Sequence, residues 1–228
     1  MTTTQETTTQ ETTTHTATTA PSLLHLDASI RPTGSVTREL SAHFAAHWRR
    51  ARPGAGYVHR DLAAEPVPHL THAVREALLD GADHGEPPQE RALSEALTAE
   101  VRAASTIVLG VPMYNYAIPS TVKAWLDRLV TPAHMVAPDG GPGPLSGTSV
   151  VVVTARGGSY APGTPREGWD HQEPYLRDVL RSIGLADDLA FVHAELTHAN
   201  VFPQMASLRP LAEKSLAAAY ESLERLAA

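Results

Sequence analysis

TIVLGV at residues 106–111 and SVVVVT at residues 149–154 decide the fold. Both runs are short, continuous and rich in β-branched residues, which is typical of strands that are buried on both faces of a parallel sheet. Amphipathic stretches of helical length separate such runs along the chain. This alternation predicts an α/β domain in which helices cover both faces of one sheet.

Three further strands and five helices complete the pattern. The strands are predicted at 22–27, 56–60 and 189–193, and the second of them, GYVHR, is half polar, as an edge strand is. The helices are predicted at 35–50, 88–103, 119–130, 173–183 and 207–226. Five strands with intervening helices fit the flavodoxin-like, doubly wound order 2-1-3-4-5. In that fold a ligand binds beyond the carboxyl ends of the strands.

Composition limits the chemistry that the chain can carry. Its 228 residues are 42% hydrophobic, which suffices for one α/β domain, assigned to residues 22–228. A formal charge of −7 leaves no broad basic surface, so nucleic acid and anionic lipid are not expected partners. The absence of cysteine excludes disulfides, thiolate nucleophiles and iron–sulfur clusters. Any redox chemistry therefore needs a bound cofactor.

Residues 1–21, MTTTQETTTQETTTHTATTAP, form an imperfect TTTQE repeat without leucine, isoleucine, valine or an aromatic residue. Such a segment has nothing to bury and is predicted to be a disordered tail. The N-terminus lacks the basic and apolar regions of a secretory signal, and no apolar run approaches the ~20 residues of a membrane helix. We therefore expect no membrane partner and a cytoplasmic location.

The loop after the first strand, DASIRPTGSVTR at residues 27–38, has the composition of an anion site. Ser35 is a natural N-cap, and the free N–H groups of the first helical turn attract a phosphate. The hydroxyls of Ser29, Ser35 and Thr37 add neutral donors. Neither GxxxxGK[ST] nor GxGxxG is present, so a P-loop and a dinucleotide-binding site are disfavoured. On this loop alone, an ordinary serine-capped helix fits equally well.

The second loop, VPMYNYAIP at residues 111–119, places two aromatic side chains and an amide at the end of a buried strand. These groups suit a flat heterocycle. Apolar surface packs on its face, while backbone N–H groups and Asn115 bond its ring nitrogens and carbonyl oxygens. The alternative is that Tyr114 and Tyr116 are core or interface aromatics.

The third loop, TARGGSY at residues 154–160, follows the most hydrophobic strand of the chain. Its paired glycines allow the backbone to approach a ligand closely, and Arg156 is placed to face the electron-rich edge of a reduced ring. A glycine pair alone is also compatible with a simple turn. Its position supports a ligand-binding role, because it follows the third of the three strands after which the fold predicts ligand contacts.

Together the loops resemble those of the FMN-dependent NADH azoreductase and quinone reductase family of bacteria. The resemblance covers residues 23–226, and PMYN followed by an aromatic residue is its specific signature. The matching segments are LDASIRPTGSVTREL, RDLAAEPVPHL (60–70), VPMYNYAIPSTVKAWLD (111–127), TARGGSY and EPYLRDVLRSIGL (173–185).

This resemblance implies an oxidoreductase that takes hydride from NADH or NADPH and passes electrons through FMN to quinones or azo compounds by a ping-pong mechanism. The flavin carries the chemistry, so no catalytic side chain is expected, and Asn115 is implied as a flavin-positioning residue. The family forms homodimers with the flavin sites at the subunit interface. The implied cofactor-binding residues are Ser29, Ser35, Val36 and Thr37 for the phosphate and ribityl chain, Pro112, Met113, Tyr114, Asn115 and Tyr116 along the isoalloxazine, and Ala155, Arg156, Gly157 and Gly158 in the third loop.

Two departures from the family affect the cofactor and the acceptor. The family usually has serine where Ala155 stands, so one hydroxyl contact is missing. After Asp127 this chain reads RLVTPAHMVAP, which is shorter than the family segment and lacks the aromatic residues that help to cover the flavin and its acceptor. The acceptor range is therefore the least transferable property.

Two other classes of protein compete with the enzyme. A flavodoxin-like electron carrier would bind FMN without substrate turnover, and the apolar second loop argues only mildly against it. A phosphoacceptor receiver domain shares the strand order but needs clustered acids after the first strand and a lysine after the last. Asp27 stands alone, and no lysine follows His193 directly, so this class is disfavoured.

The twelve histidines raise the question of a metal site. His43 and His47 are spaced i, i+4 on the first helix, but HExxH is absent and no acidic third ligand is evident from the sequence. A solvated helix face is favoured, and no metal is predicted. His25 and His193 fall in predicted strands and are interpreted as satisfied core or interface residues.

Overall fold

The computed structural model describes residues 20–137 and 141–228, which form one five-stranded parallel sheet covered by helices. The strand order is β2-β1-β3-β4-β5, which confirms the predicted flavodoxin-like order. The strands are β1 (Ser22–Asp27), β2 (Gly56–Asp61), β3 (Thr106–Gly110), β4 (Ser149–Ala155) and β5 (Asp188–Ala194). The helices are α1 (Val36–Ala51), α2 (His72–Asp80), α3 (Pro88–Ala103), α4 (Ser120–Leu129), α5 (Glu173–Ser182) and α6 (Arg209–Ala227).

The sheet separates two apolar cores, because successive side chains of a strand point to opposite faces. On one face, α1 and α6 cover Leu23, Val151 and Val153. On the other face, α3, α4 and α5 cover Leu24 and Val152. Strands β3 and β4 are buried on both faces, as their unbroken apolar runs predict, whereas β2 is exposed along most of its length, as its polar sequence predicts.

Among the described residues, α2 is the α-helix that the sequence pattern did not predict. Thr71 caps its first turn by accepting a hydrogen bond from the Val74 N–H at 3.3 Å, and Gly81 ends it in the left-handed conformation. Val74 is its one buried residue. A nine-residue helix that buries a single side chain shows almost no hydrophobic periodicity. Its capping residues are therefore the sequence feature that indicates it.

Two parts of the sequence interpretation lie outside the described residues. These are residues 1–19 of the Thr-rich tail and Pro138 at the end of the shortened segment. Among the described residues, no helix combines the length and the apolar character that a bilayer span requires.

Arg128, the first residue of the shortened segment, is fully buried in α4. Its Nη2 lies 2.5 Å from Glu90 Oε2 and donates to the Pro68 carbonyl at 2.8 Å, while Nη1 donates to Ser94 Oγ at 3.2 Å. The guanidinium therefore ties α4 to α3 and to the chain that follows β2. A buried cation of this kind depends on its counter-ion, because desolvation is costly without one.

We expect Glu90→Gln to lower the free energy of unfolding by about 3–5 kcal/mol, since it leaves Arg128 as an uncompensated buried charge. The double variant Arg128→Met, Glu90→Gln removes both charges and should recover most of that loss. Urea unfolding followed by circular dichroism measures both effects. Glu213→Gln on the exposed face of α6 is the matched control and should stay within about 0.5 kcal/mol of wild type. A single variant as stable as this control would contradict the assigned role of the pair.

Candidate functional site

A cavity of about 390 Å³ opens at the carboxyl edge of the sheet. Its volume lies within the ~300–1,000 Å³ that is typical of sites for small ligands and cofactors. Nine of the thirteen cofactor-binding residues predicted from the sequence line it. They are Ser29, Ser35, Val36, Thr37, Pro112, Met113, Tyr114, Ala155 and Gly157.

One end of the cavity is formed by the loop between β1 and α1 and has the chemistry of an anion site. Ser29, Ser35 and Thr37 are each at most 5% exposed, and the Ser35 and Thr37 hydroxyl oxygens lie 3.2 Å apart. Ser35 is the N-cap of α1, as predicted, and its side chain accepts from the Arg38 N–H at 3.5 Å. The first N–H groups of a helix have no intrahelical acceptor, so those of Val36 and Thr37 are available to a phosphate.

Arg38 holds this loop in shape, a role that the sequence analysis did not assign. Its Nη2 donates to the Ser29 carbonyl at 2.6 Å, and its Nε donates to the Arg31 carbonyl at 3.1 Å. Asp61 at the end of β2 accepts from the same guanidinium through both carboxylate oxygens, at 2.7 and 2.9 Å. Such a bidentate pair fixes the plane of the guanidinium and hence the path of the loop around it.

The second loop turns sharply at Asn115 and Tyr116, which have φ of +48° and +70°. Tyr114 and Ala117 flank this two-residue turn and exchange both backbone hydrogen bonds at 3.0 Å. Left-handed conformations are costly for residues with a side chain, by roughly 1–2 kcal/mol each. The Tyr114 hydroxyl also accepts from the Ile30 N–H at 3.1 Å, which ties this loop to the anion site.

Four predicted residues lie outside the cavity lining, namely Asn115, Tyr116, Arg156 and Gly158. Arg156 is 3% exposed, and its guanidinium lies 2.9 Å from Asp170 and within 4 Å of Glu173 and Glu195. Its contacts with carboxylates thus anchor the third loop to the start of α5 and to the residue after β5.

Tyr116 joins an aromatic cluster beside the third loop. Its ring meets those of Trp169 and Tyr160 edge to face, with centroids 5.3 and 6.5 Å away. The Arg166 guanidinium lies 5.8 Å from the centre of the Tyr116 ring. Trp169 is half exposed, so this aromatic cluster offers apolar surface next to the cavity.

A fourth loop, after β5, also lines the cavity and was missed by the sequence analysis. It contributes Glu195, Thr197 and His198 among others. The His198 imidazole lies directly on Gly157, where an added Cβ would come within 2.3 Å of the ring. Burial and then the charge of Arg166 lower the pKa of His198, which favours the neutral ring at pH 7. The sequence ELTHAN offers no glycine pair or aromatic run that would have marked this loop.

His193, on β5 beneath this loop, has partners for both ring nitrogens. Nε2 lies 2.8 Å from Glu173 Oε2, and Nδ1 lies 2.7 Å from Thr154 Oγ1. The interpretation of His193 as a satisfied residue is therefore confirmed.

A family model described as flavodoxin-like fold matches residues 21–217. The chain belongs to the flavodoxin-like fold family. It is 42% identical over 210 residues to an FMN-dependent NADH:quinone oxidoreductase of Parafrankia sp. (strain EAN1pec), and the alignment covers 91% of this chain and 99% of that relative.

Solved structures of this flavodoxin-like fold include two that match most of the chain. An azoreductase from Bacillus anthracis str. Sterne superposes with a TM-score of 0.76 at 21% identity, covering 91% of this chain and 98% of the other. An FMN-dependent NADH-azoreductase from Bacillus anthracis str. Ames Ancestor, in complex with FMN, superposes with a TM-score of 0.72 at 21% identity. The match covers 90% of this chain and 97% of the other. At this level of identity the structures support the fold alone.

We expect Asp61→Asn to lower the free energy of unfolding by about 1–3 kcal/mol at pH 7, because Arg38 loses its charged acceptor. Burial alone would raise the pKa of Asp61, but hydrogen bonds from Arg38 and from the N–H groups of Ala63 and Ala64 lower it overall. The Asp61 carboxylate therefore contributes its full share to the free energy of unfolding above its ordinary pKa, near 3.8. That stabilisation is lost as the pH falls through the lowered pKa of the folded state.

Denaturant unfolding of wild type and Asp61→Asn across a pH series tests this sign. Asp178→Asn is the matched control, because Asp178 pairs with Arg181 on the surface, where both side chains are at least 70% exposed. Its effect should stay within about 0.5 kcal/mol at every pH. A difference for Asp61→Asn that grew as the pH fell would contradict the argument.

Proposed function

We propose that the chain is an FMN-dependent oxidoreductase that takes hydride from NADH or NADPH and reduces quinones or azo compounds by a ping-pong mechanism. The observation that carries this proposal is the cavity at the carboxyl edge of the sheet, which combines an anion site with an apolar slot. Extensive identity to a curated FMN-dependent NADH:quinone oxidoreductase supports the same reaction class.

The residues present fit FMN. The hydroxyls and helix N-terminus at Ser29, Ser35 and Thr37 would hold the phosphate, which needs donors more than a cation. Pro112, Met113 and the other apolar lining residues would pack on the flat ring system. When bound, FMN supplies the redox chemistry by accepting hydride from the nicotinamide and giving two electrons to the acceptor.

The protein's part is to bind, orient and shield. Asn115 lies outside the cavity lining, so it would position the ring through the strained turn that carries it, which sets the path of the second loop before any ligand arrives. Arg156 would act through the loop backbone, since its guanidinium is engaged by carboxylates. Ala155 lacks the family's hydroxyl, but its backbone carbonyl accepts from the Met113 N–H at 3.0 Å and keeps the second and third loops together.

The first prediction from this proposal concerns the phosphate. Wild-type protein should bind one FMN per chain and be yellow. Ser35→Asp keeps an N-capping side chain but adds a negative charge at the phosphate. FMN affinity should then fall by more than about 100-fold, since two unit charges about 4 Å apart repel by about 4 kcal/mol at an effective dielectric constant of 20.

Ser35→Ala is the matched control for this measurement. It removes the cap without adding charge, and it should cost about 1 kcal/mol of stability with a far smaller change in FMN affinity. Fluorescence titration with FMN gives both dissociation constants. Equal affinities for the two variants would place the phosphate elsewhere, and a colourless protein that ignores added FMN would end the proposal. Stoichiometric FMN without NAD(P)H oxidation would favour an electron carrier.

The second prediction concerns the acceptor. Residues 130–137 of the shortened segment carry no phenylalanine, tyrosine or tryptophan, and none of them lines the cavity, so reduced cover for a second aromatic ring is expected on the family resemblance. An aromatic contact contributes about 0.5–1.5 kcal/mol beyond its burial. We therefore expect a higher kcat/KM for a naphthoquinone than for a methyl red-type dye, both measured at saturating NADH.

The variant Trp169→Ala tests whether the aromatic cluster covers the acceptor in place of the aromatic residues that the shortened segment lacks. If the dye equals the quinone in wild type and falls behind it in Trp169→Ala, the aromatic cluster at Tyr116, Tyr160 and Trp169 replaces the missing aromatics. The reductive half-reaction with NADH serves as the internal control, because it should be the same in both proteins.

We also propose a homodimer, on the family resemblance alone. Light scattering of the purified chain at a concentration where it is fully active tests this assembly. A monomeric mass under those conditions would contradict it.

A further inference from the structure

His25, Asp27 and His59 converge at one point on the α1 face of the sheet, outside the lining of the cavity. His25 and Asp27 are two residues apart on β1 and therefore point to the same face. His59 pairs with His25 in the parallel register of β1 and β2, which places its side chain on that face as well. His59 is 32 residues from Asp27 in sequence, so the complete cluster exists only in the folded sheet.

The distances within this histidine–aspartate cluster match those between ligands of one metal ion. Asp27 Oδ2 lies 3.0 Å from His59 Nε2 and 3.4 Å from His25 Nε2, and all three ligand atoms lie within 4.8 Å of one another. Two ligands of a tetrahedral Zn²⁺ with bonds of about 2.0 Å are about 3.3 Å apart. Small side-chain shifts would bring all three atoms onto one ion.

His25 supplies the observation that points to a ligand. The residue is 3% exposed, and its Nε2 is buried without a hydrogen-bond partner among the described residues, so the interpretation of His25 as a satisfied residue is wrong. The other ring nitrogen, Nδ1, lies 3.0 Å from the Tyr57 hydroxyl. If Nδ1 carries the proton and donates it to that hydroxyl oxygen, Nε2 turns its lone pair toward Asp27. Metal-binding histidines are held by such an outer hydrogen bond.

The carboxylate is also prepared for a ligand role. Asp27 Oδ1 accepts from Ser41 Oγ at 2.8 Å, which leaves Oδ2 directed at the two imidazoles. Gly110 on β3 makes room for this pair, since a Cβ there would lie 2.6 Å from Oδ1. Arg38 lies 3.7 Å from Oδ2, but its charge is already matched by Asp61.

We propose that His25, Asp27 and His59 bind Zn²⁺ or a first-row divalent cation of similar ligand preference. The ligand atoms are His25 Nε2, His59 Nε2 and Asp27 Oδ2, with solvent at a fourth position. Two imidazoles and one carboxylate suit such ions and are poor ligands for Mg²⁺ or Ca²⁺. The His59 side chain is 41% exposed, which gives the ion a path from solvent. The ion would fasten the exposed edge strand β2 to β1, whatever reaction the cavity supports.

A second histidine pair provides the control. His43 Nε2 lies 3.1 Å from Glu224 Oε1, and His47 Nε2 lies 4.0 Å from the same oxygen. The acidic third residue that the sequence did not reveal thus comes from α6, 181 residues away. This second group is more exposed. Arg50 Nη2 lies 2.9 Å from His47 Nδ1 and can only donate, so a neutral His47 ring carries its proton on Nε2 and offers no lone pair toward Glu224.

The test is a titration of the full chain, as purified and dialysed against a chelator, with Zn²⁺ alone. Calorimetry gives the dissociation constant and thermal denaturation gives the shift in Tm, because an ion that binds the folded state raises Tm with its concentration. Co²⁺ in place of Zn²⁺ should give visible absorption bands of a four-coordinate ion. Mg²⁺ at the same concentrations should leave Tm unchanged.

His59→Gln removes an exposed ligand and is expected to fold normally, which metal-free Tm verifies. We expect it to weaken Zn²⁺ binding at least tenfold, because even outer-shell partners of a metal ligand contribute about 10–100-fold. His43→Gln with His47→Gln should leave the dissociation constant unchanged. The proposal is overturned if wild type binds no Zn²⁺, if His59→Gln binds as tightly as wild type, or if only the His43, His47 variant loses binding.

Discussion

The parallel register of the sheet is the constraint on which the rest of the structure depends. Asp27 pairs with Asp61 on one side and Gly110 on the other, and Val153 then pairs with Gly110 and Val192, so the strands end nearly level. Backbone hydrogen bonds continue this ladder beyond the strands. The Ala28 N–H donates to Gly110, Val111 to Val153, Met113 to Ala155 and Arg156 to Ala194, all within 3.0 Å. The loops that line the cavity are therefore positioned by main-chain groups. A site built in this way tolerates a change of side chain such as alanine for serine at Ala155 more readily than a change that bends the backbone.

The structural role of a residue could be predicted from the sequence where that role leaves a local pattern. The runs in β3 and β4 are apolar because both faces are buried, and Ser35 is recognisable because a helix cap is a local hydrogen bond. Arg38 and the loop after β5 could not be assigned, for a physical reason. Arg38 fixes the first loop only together with a carboxylate 23 residues away, that of Asp61. His198 faces the cavity because it packs on Gly157 in another loop. No periodicity or motif encodes contacts that the sheet alone brings together.

Strain is concentrated at the same edge of the molecule. In the described part of the chain, the non-glycine residues with positive φ are Asn115, Tyr116 and Leu196, and all three follow strands that end at the cavity. Their neighbours hold them there through the bonds between Tyr114 and Ala117, the His171 N–H to the Tyr116 carbonyl at 3.0 Å, and the Leu196 N–H to the Gly158 carbonyl at 3.1 Å. The surrounding contacts fix these unfavourable conformations before a ligand binds. The loops therefore lose less conformational entropy on binding.

Asp27 lies between the two proposed sites of this protein. It lies two residues before Ser29 in the anion loop, and its Oδ2 faces both the histidine pair and Arg38, at 3.0 Å from His59 and 3.7 Å from Arg38. A divalent cation on Oδ2 would repel the Arg38 guanidinium and press it toward Asp61 and the Ser29 carbonyl, which are its other acceptors. Such a displacement would tighten the contacts of Arg38 with the loop proposed to hold the phosphate. Because coupling between two binding equilibria is reciprocal, a phosphate that favours the tightened loop must by the same amount favour the cation at Asp27.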